Sequence, residues 1–212
     1  MGLRETKKKE QRREILEVAV ALFQERGYDE TRIQDIIDRV RISEATFFNY
    51  FPTKDALLEE FAVERVELYA ELVRVEISDE TRSVPDRLRD LLRIISLGLQ
   101  LEDRQLMGVV ARRSKLFYGG EGAVFEQKVL AQGLLARLFE EGQARGEIRA
   151  GIDPQALAES LTGAYTFTIV NWLTGRWEDS GPLAPRVMRV AELLLDGCRA
   201  PAPKSGQRGA RA

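Results

Sequence analysis

Residues 12–61 read RREILEVAVALFQERGYDETRIQDIIDRVRISEATFFNYFPTKDALLEEF. Ile15, Val18, Ala19, Leu22 and Phe23 recur at i, i+3, i+4, i+7 and i+8, the apolar stripe of a helix over 9–26. Gly27 stands where such a helix needs a left-handed C-terminal residue. Thr31 and Gln34 have the spacing of a capping box. A second helix is therefore expected after Thr31, carrying Ile33, Ile36, Ile37 and Val40 and stopping near Arg41. Ser43 can cap a third helix over 44–51. Pro52 ends it, and Thr53 can cap a fourth that begins at Lys54. A long amphipathic helix followed by two short ones in close succession is a helix-turn-helix pattern.

The third helix has two chemically different sides. At about 100° per residue, Phe47 and Phe51 fall together on a core side. Ala45, Thr46 and Asn49 fall on the opposite side, with Phe48 and Tyr50 at its flanks. That outward face is short and nearly uncharged, so the helix can sit deep in a major groove. Asn49 can pair with an adenine edge, and the methyls of Ala45 and Thr46 suit a thymine methyl. The flanking aromatics suit the sugar-phosphate walls, where contacts position without specifying. Thr31 and Arg32 at the start of the second helix are expected to meet phosphate, with Lys54 as a second clamp.

The chain outside this stretch excludes several function classes. Its 212 residues are 44% apolar and 31% charged, enough to bury a core. Helical spacing recurs throughout and no strand pattern competes. Further helices are expected over 53–78, 83–101, 104–116, 123–145, 153–174 and 182–197. The fold class is therefore all-α, with about nine helices. There is no histidine and a single cysteine, Cys198. That excludes Ser-His-Asp triads, imidazole metal sites, an intrachain disulfide and a CxxC zinc site. An enzyme is not expected, and no cofactor or metal. No run of 18 apolar residues is present, so no membrane partner is expected. No signal-peptide pattern follows the basic N-terminus, and a cytoplasmic protein is expected.

The net charge of -2 hides an asymmetry. Residues 4–13 hold Arg4, Lys7, Lys8, Lys9, Arg12 and Arg13 against Glu5 and Glu10, and residues 199–212 are basic with no acid. Basic ends on an acidic body point to an anionic partner met at one end.

Residues 12–61 as a whole resemble the DNA-binding domain of the TetR family of transcriptional regulators. The resemblance rests on Leu22-Phe23 and Gly27-Tyr28 closing the first helix, Thr31, Ser43, Thr46, the cluster ending in Tyr50-Phe51, and Lys54. It implies an N-terminal three-helix DNA-binding domain and a larger helical domain for effector binding and dimerisation. The implied division is a disordered basic arm over 1–8, the helix-turn-helix domain over 9–56, the effector and dimerisation domain over 57–198, and a disordered basic tail over 199–212. The expected DNA contacts are Thr31, Arg32, Arg41, Ser43, Ala45, Thr46, Phe48, Asn49, Tyr50 and Lys54. Three positions depart from the family pattern: Arg41 replaces the usual turn glycine, Phe48 a tyrosine and Ile37 an alanine. A left-handed arginine costs on the order of 1 kcal/mol, offset in part if Arg41 reaches a phosphate.

The resemblance also implies a homodimer built on the last two helices. Ser160, Gly163, Phe167 and Val170 form one stripe of the helix over 154–174, while Leu157, Leu161, Ala164, Thr168 and Trp172 form another. A helix apolar on two sides must be covered twice. The final helix offers Val187, Val190, Ala191 and Leu194 to the same interface. For an effector pocket, Met107, Phe117, Tyr118, Phe125, Phe139, Tyr165, Phe167 and Trp172 supply apolar walls, and Arg112, Arg113 and Asn171 polar contacts. The expected partners are a double-stranded, near-palindromic operator, a second copy of the chain, and a small-molecule effector of hydrophobic character. The function implied is a ligand-responsive repressor. The alternatives are an activator, or a helical binding protein without sequence-specific DNA recognition.

Overall fold

Side-chain caps set where several helices begin in the computed structural model, which describes residues 2–113, 123–176 and 181–200. Ser43 Oγ accepts from the Thr46 N–H at 3.1 Å and starts α3, Glu44–Tyr50. Thr53 Oγ1 accepts from the Ala56 N–H at 3.1 Å and starts α4, Lys54–Ile77. Ser83 caps α5, Val84–Leu101, and Asp153 caps α8, Pro154–Leu173. Each cap satisfies a backbone donor that the first turn leaves without a partner. The others are α1, Leu3–Arg26; α2, Ile33–Val40; α6, Arg104–Arg113; α7, Ala123–Ala144; and α9, Leu183–Cys198. The described residues thus form nine helices, in the expected order.

Local details differ from the sequence reading. α1 is helical from Leu3, so residues 3–8 of the basic arm extend the first helix where disorder was expected. α2 is not opened by a Thr31–Gln34 box. Asp35 instead accepts the Arg32 N–H at 2.9 Å, and Gln34 donates to Asp38. The boundary placed at residue 56 falls inside α4, one helix that serves both halves of the molecule. Of the basic tail, Arg199 and Ala200 are described. The Arg149 N–H donates to Cys198 O at 2.7 Å and the Ala200 N–H to Glu147 O at 3.3 Å. The remainder of that expected tail lies outside the described residues.

α1, α2 and α3 close around Ile15, Leu22, Ile36, Phe47 and Phe51, all at most 1% exposed. This core runs on without a break through α4 into the larger half. There α5 packs against α9, and α7 against α4 and α8. α6 meets α8 so closely that a Cβ on Gly108 would lie 2.9 Å from Leu173 O; only glycine fits there. Arg87 is 1% exposed and donates to Glu141 at 2.7 Å, a charge held deep between α5 and α7 by one carboxylate.

Candidate nucleic-acid interface

α3 presents the face its sequence predicts. Phe47 and Phe51 are fully buried, with ring centroids 6.3 Å apart. Ala45 and Asn49 are exposed, and Thr46 and Tyr50 are half-buried. Phe48 is 41% exposed and stands edge-on to Phe47. The Thr46 hydroxyl is 2.7 Å from Ser43 Oγ, so what it turns outward is chiefly its methyl.

Arg12 fixes this helix from behind. It donates to Tyr50 O at 2.6 Å, grips both oxygens of Glu60, and stacks 4.3 Å over the Phe51 ring. A cation at the C-terminal carbonyls of α3 complements the helix dipole. The Arg12 hydrogen bond also holds the Glu60 carboxyl below its ordinary pKa. Arg12 therefore belongs to the scaffold and not to the basic arm. Arg4, Lys7, Lys8 and Lys9 stay exposed along the start of α1.

The α2–α3 turn is left-handed at Arg41, with φ 61° and ψ 48°. Arg41 is the one non-glycine residue with positive φ among the described residues, and its side chain is exposed. Arg32 is exposed at the start of α2.

Two expected phosphate contacts point inward instead. Thr31 is 1% exposed, with its hydroxyl 2.8 Å from Gly27 O and 3.2 Å from Leu22 O. It closes the α1–α2 loop. Lys54 Nζ donates to Tyr28 O at 2.7 Å and Thr31 O at 2.9 Å, and sits 4.2 Å over the Tyr28 ring. Desolvation there lowers its pKa. Lys54 is a staple between that loop and α4, because two carbonyl ends and a ring face outbid water for its ammonium.

The same corner joins the two halves of the molecule. Asp55 accepts the Tyr28 hydroxyl at 2.6 Å and the Arg113 Nε–H at 3.0 Å. These bonds, Arg113 first, hold the Asp55 carboxyl below its ordinary pKa. Arg113 closes α6, so α6 reaches the first turn of α4 through one carboxylate. Sequence reading placed Arg113 near a pocket; only a contact across 58 residues of chain shows this role.

Behind this corner lies a cavity of about 180 Å³ between α4, α5, α6, α7 and α8. Met107 and Tyr165 stand in its wall, along with Arg65, Tyr69 and Thr162, which the sequence reading did not single out. Other expected pocket residues lie elsewhere. Arg112 is exposed. Asn171 is buried, with its amide donating to Phe167 O at 2.7 Å. Trp172 donates to Gly181 O at 3.0 Å under the Arg104 guanidinium. Phe139 is buried in a separate, smaller hollow. Phe117, Tyr118 and the side chain of Phe125 lie outside the described residues.

The outer face of α8 carries Ser160, Gly163 and Phe167, the last 65% exposed. Val170, one turn on, is 7% exposed and turns inward. On α9, Val187 and Ala191 are buried within the chain at 1% and 0%, against the expectation that they face a partner. Val190 and Leu194 are half-buried. The exposed apolar residue of α9 is Leu193, at 75%. Its spacing of i+3 from Val190 was the available signal.

Among the described residues no helix is long and apolar enough to cross a membrane, and no cluster of His, Cys, Asp or Glu could hold a metal. Residues 15–61 match the family model described as bacterial regulatory proteins, tetR family. The chain is 27% identical over 197 residues to the HTH-type transcriptional repressor KstR of Rhodococcus jostii (strain RHA1), covering 91% of this chain and 87% of that one. It is 22% identical over 191 residues to the fatty acid metabolism regulator protein of Bacillus subtilis (strain 168), covering 87% and 93%. Among solved structures, Thermus thermophilus FadR, a TetR-family transcriptional repressor in complex with lauroyl-CoA, matches with a TM-score of 0.64. That match has 25% identity and covers 92% of this chain and all of that one.

Proposed function

We infer, from the premise that the chain belongs to the TetR family of bacterial regulatory proteins, that it is a ligand-responsive transcriptional repressor acting in the cytoplasm, without catalytic activity. The observation that carries this reading is α3, with Ala45 and Asn49 exposed on one side and Phe47 and Phe51 at 0% on the other. A helix so fixed offers base-reading groups to a major groove. Arg32, Arg41, Ser43, Phe48 and Tyr50 border that face and supply contacts to the phosphate walls. The exposed cations at the start of α1 add phosphate neutralisation and steepen the salt dependence.

A homodimer sets two such helices in successive major grooves, about 34–36 Å apart. Ser160, Gly163 and Phe167 on α8, with Val190 and Leu193 on α9, form the face that meets the second copy. The operator it reads is near-palindromic for the same reason.

The effector seats in the cavity against Met107 and Tyr165. Its apolar walls suit a hydrophobic body, and the related FadR of Thermus thermophilus binds an acyl-CoA. α4 both lines the cavity and begins beside Tyr28 and Asp55. A ligand that prefers a different α4 position shifts the population toward a spacing that no longer straddles the duplex.

Selection of bound fragments from genomic DNA by the full chain tests this reading. The expected result is an enriched near-palindrome whose half-site preference relaxes at particular base pairs in Asn49→Ala. No enriched sequence, or an evenly spread affinity loss in that variant, overturns it.

A further inference from the structure

α3 is too short to stand alone. Its seven residues, Glu44–Tyr50, make about two turns, and an isolated helix of that length is not stable in water. Phe47 and Phe51 hold it by burial, a force without direction. Its last carbonyls lie beyond the reach of the helix's own N–H groups, and the sequence EATFFNY carries no cation to meet them. Arg12 of α1, 38 residues away, supplies one at Tyr50 O.

Glu60 decides where that guanidinium sits. Its two oxygens accept from Nε and Nη2 at 2.8 and 2.9 Å, which leaves Nη1 to donate to Tyr50 O at 2.6 Å. A fork held at two points has its plane fixed, and the Phe51 ring lies 4.3 Å from its centre. The Arg12 and Glu60 side chains are 39% and 34% exposed, so water screens their attraction and the pair contributes geometry more than energy. Arg13 gives the contrast. It pairs with Glu17 one turn along α1, at 77% and 62% exposed, and that pair stays on the surface of one helix.

Resting on the reading of α3 as the base-reading helix, we infer that Arg12 and Glu60 are positioning residues for operator discrimination, which touch no DNA themselves and set the seat of α3 in the free protein. A helix out of this seat presents Ala45 and Asn49 at the wrong angle. Operator affinity then falls in proportion to the fraction of molecules still seated. Non-specific binding depends on charge and is indifferent to that angle. Glu60 thereby acquires an effect opposite to that of its charge. An acid near a DNA-binding face repels phosphate, so its loss ordinarily strengthens binding to any duplex. Loss of the Glu60 carboxylate weakens binding to the operator.

Fluorescence anisotropy of the full chain on two labelled duplexes tests this. One is the sequence enriched from genomic DNA, the other a scramble of equal length and composition. Arg12→Lys keeps the charge and loses the fork. It is expected to cost roughly tenfold on the enriched duplex, with the scramble and its salt slope within about twofold. Glu60→Gln is expected to lower affinity for the enriched duplex several-fold while affinity for the scramble holds or rises. The double variant should lose no more than Arg12→Lys alone, because the two residues act as one device. Amide hydrogen exchange at residues 47–51 should quicken in both single variants with α5 and α9 unchanged, which separates a loosened seat from general unfolding. Glu60→Gln tightening both duplexes while Arg12→Lys changes neither makes Arg12 an ordinary phosphate contact and overturns the inference. Equal losses on both duplexes, or unaltered exchange at 47–51, overturn it as well. An unmodified chain with no preference between the duplexes overturns the α3 reading itself, and this inference with it.

Discussion

Arg41 sits at φ 61°, where an L side chain crowds its own backbone and glycine does not. The strain is tolerated because α2 and α3 determine the turn between them, with the Arg41 and Ile42 N–H groups both bonded to Ile37 O. Arg41→Gly is expected to raise stability by up to about 1 kcal/mol, read as a higher urea midpoint at unchanged slope. The same variant should weaken DNA binding evenly across sequences, since a phosphate contact carries no base information. A loss confined to particular base pairs would instead make Arg41 a base reader. The neighbouring residues show what a residue's type conceals. Asn49 and Ala45 were legible because helix periodicity puts them opposite Phe47. Thr31 and Lys54 were not, because a hydroxyl or an ammonium serves a carbonyl as readily as a phosphate. Which of these it meets depends on where the Gly27–Thr31 loop passes.

Among the elements, α4 and α6 are the two that line the cavity and also reach the Tyr28–Asp55 corner. α4 runs unbroken from the Lys54 staple to the cavity wall, so on the proposed reading a ligand that displaces Tyr69 moves its first turn too. α6 places Met107 in the cavity and Arg113 on Asp55, a second mechanical path from the same space. Removing the second path tests its share. Arg113→Ala is expected to leave DNA affinity without effector within about twofold, since the pair is largely exposed and worth little as a surface ion pair. It should raise several-fold the effector concentration needed for release, measured by fluorescence anisotropy of labelled operator. Unchanged release would place the coupling in α4 alone. No sequence signal announces this contact. Arg113 and Asp55 are ordinary charges at two helix ends, made neighbours only by the packing of α6 on α4.

For the whole molecule, the proposed reading of the operator requires two copies. Phe167 and Leu193 are large apolar side chains, 65% and 75% exposed, on the face proposed to meet the second copy. Phe167→Asp is expected to shift sedimentation toward the monomer and to lower operator affinity by more than tenfold, while helix content holds. A fully dimeric variant would move the interface elsewhere. The sequence by itself determined the nine helices among the described residues, the caps at Ser43, Thr53, Ser83 and Asp153, and the outward face of α3. Such features are set by residues within four positions of one another and by the turn chemistry between them. Only the tertiary structure decided which side of α9 is covered by its own chain, that Lys54 and Thr31 serve the interior, and where a cavity opens. An amphipathic stripe states that a face must be buried but not against what, and that choice belongs to contacts between helices far apart in the chain.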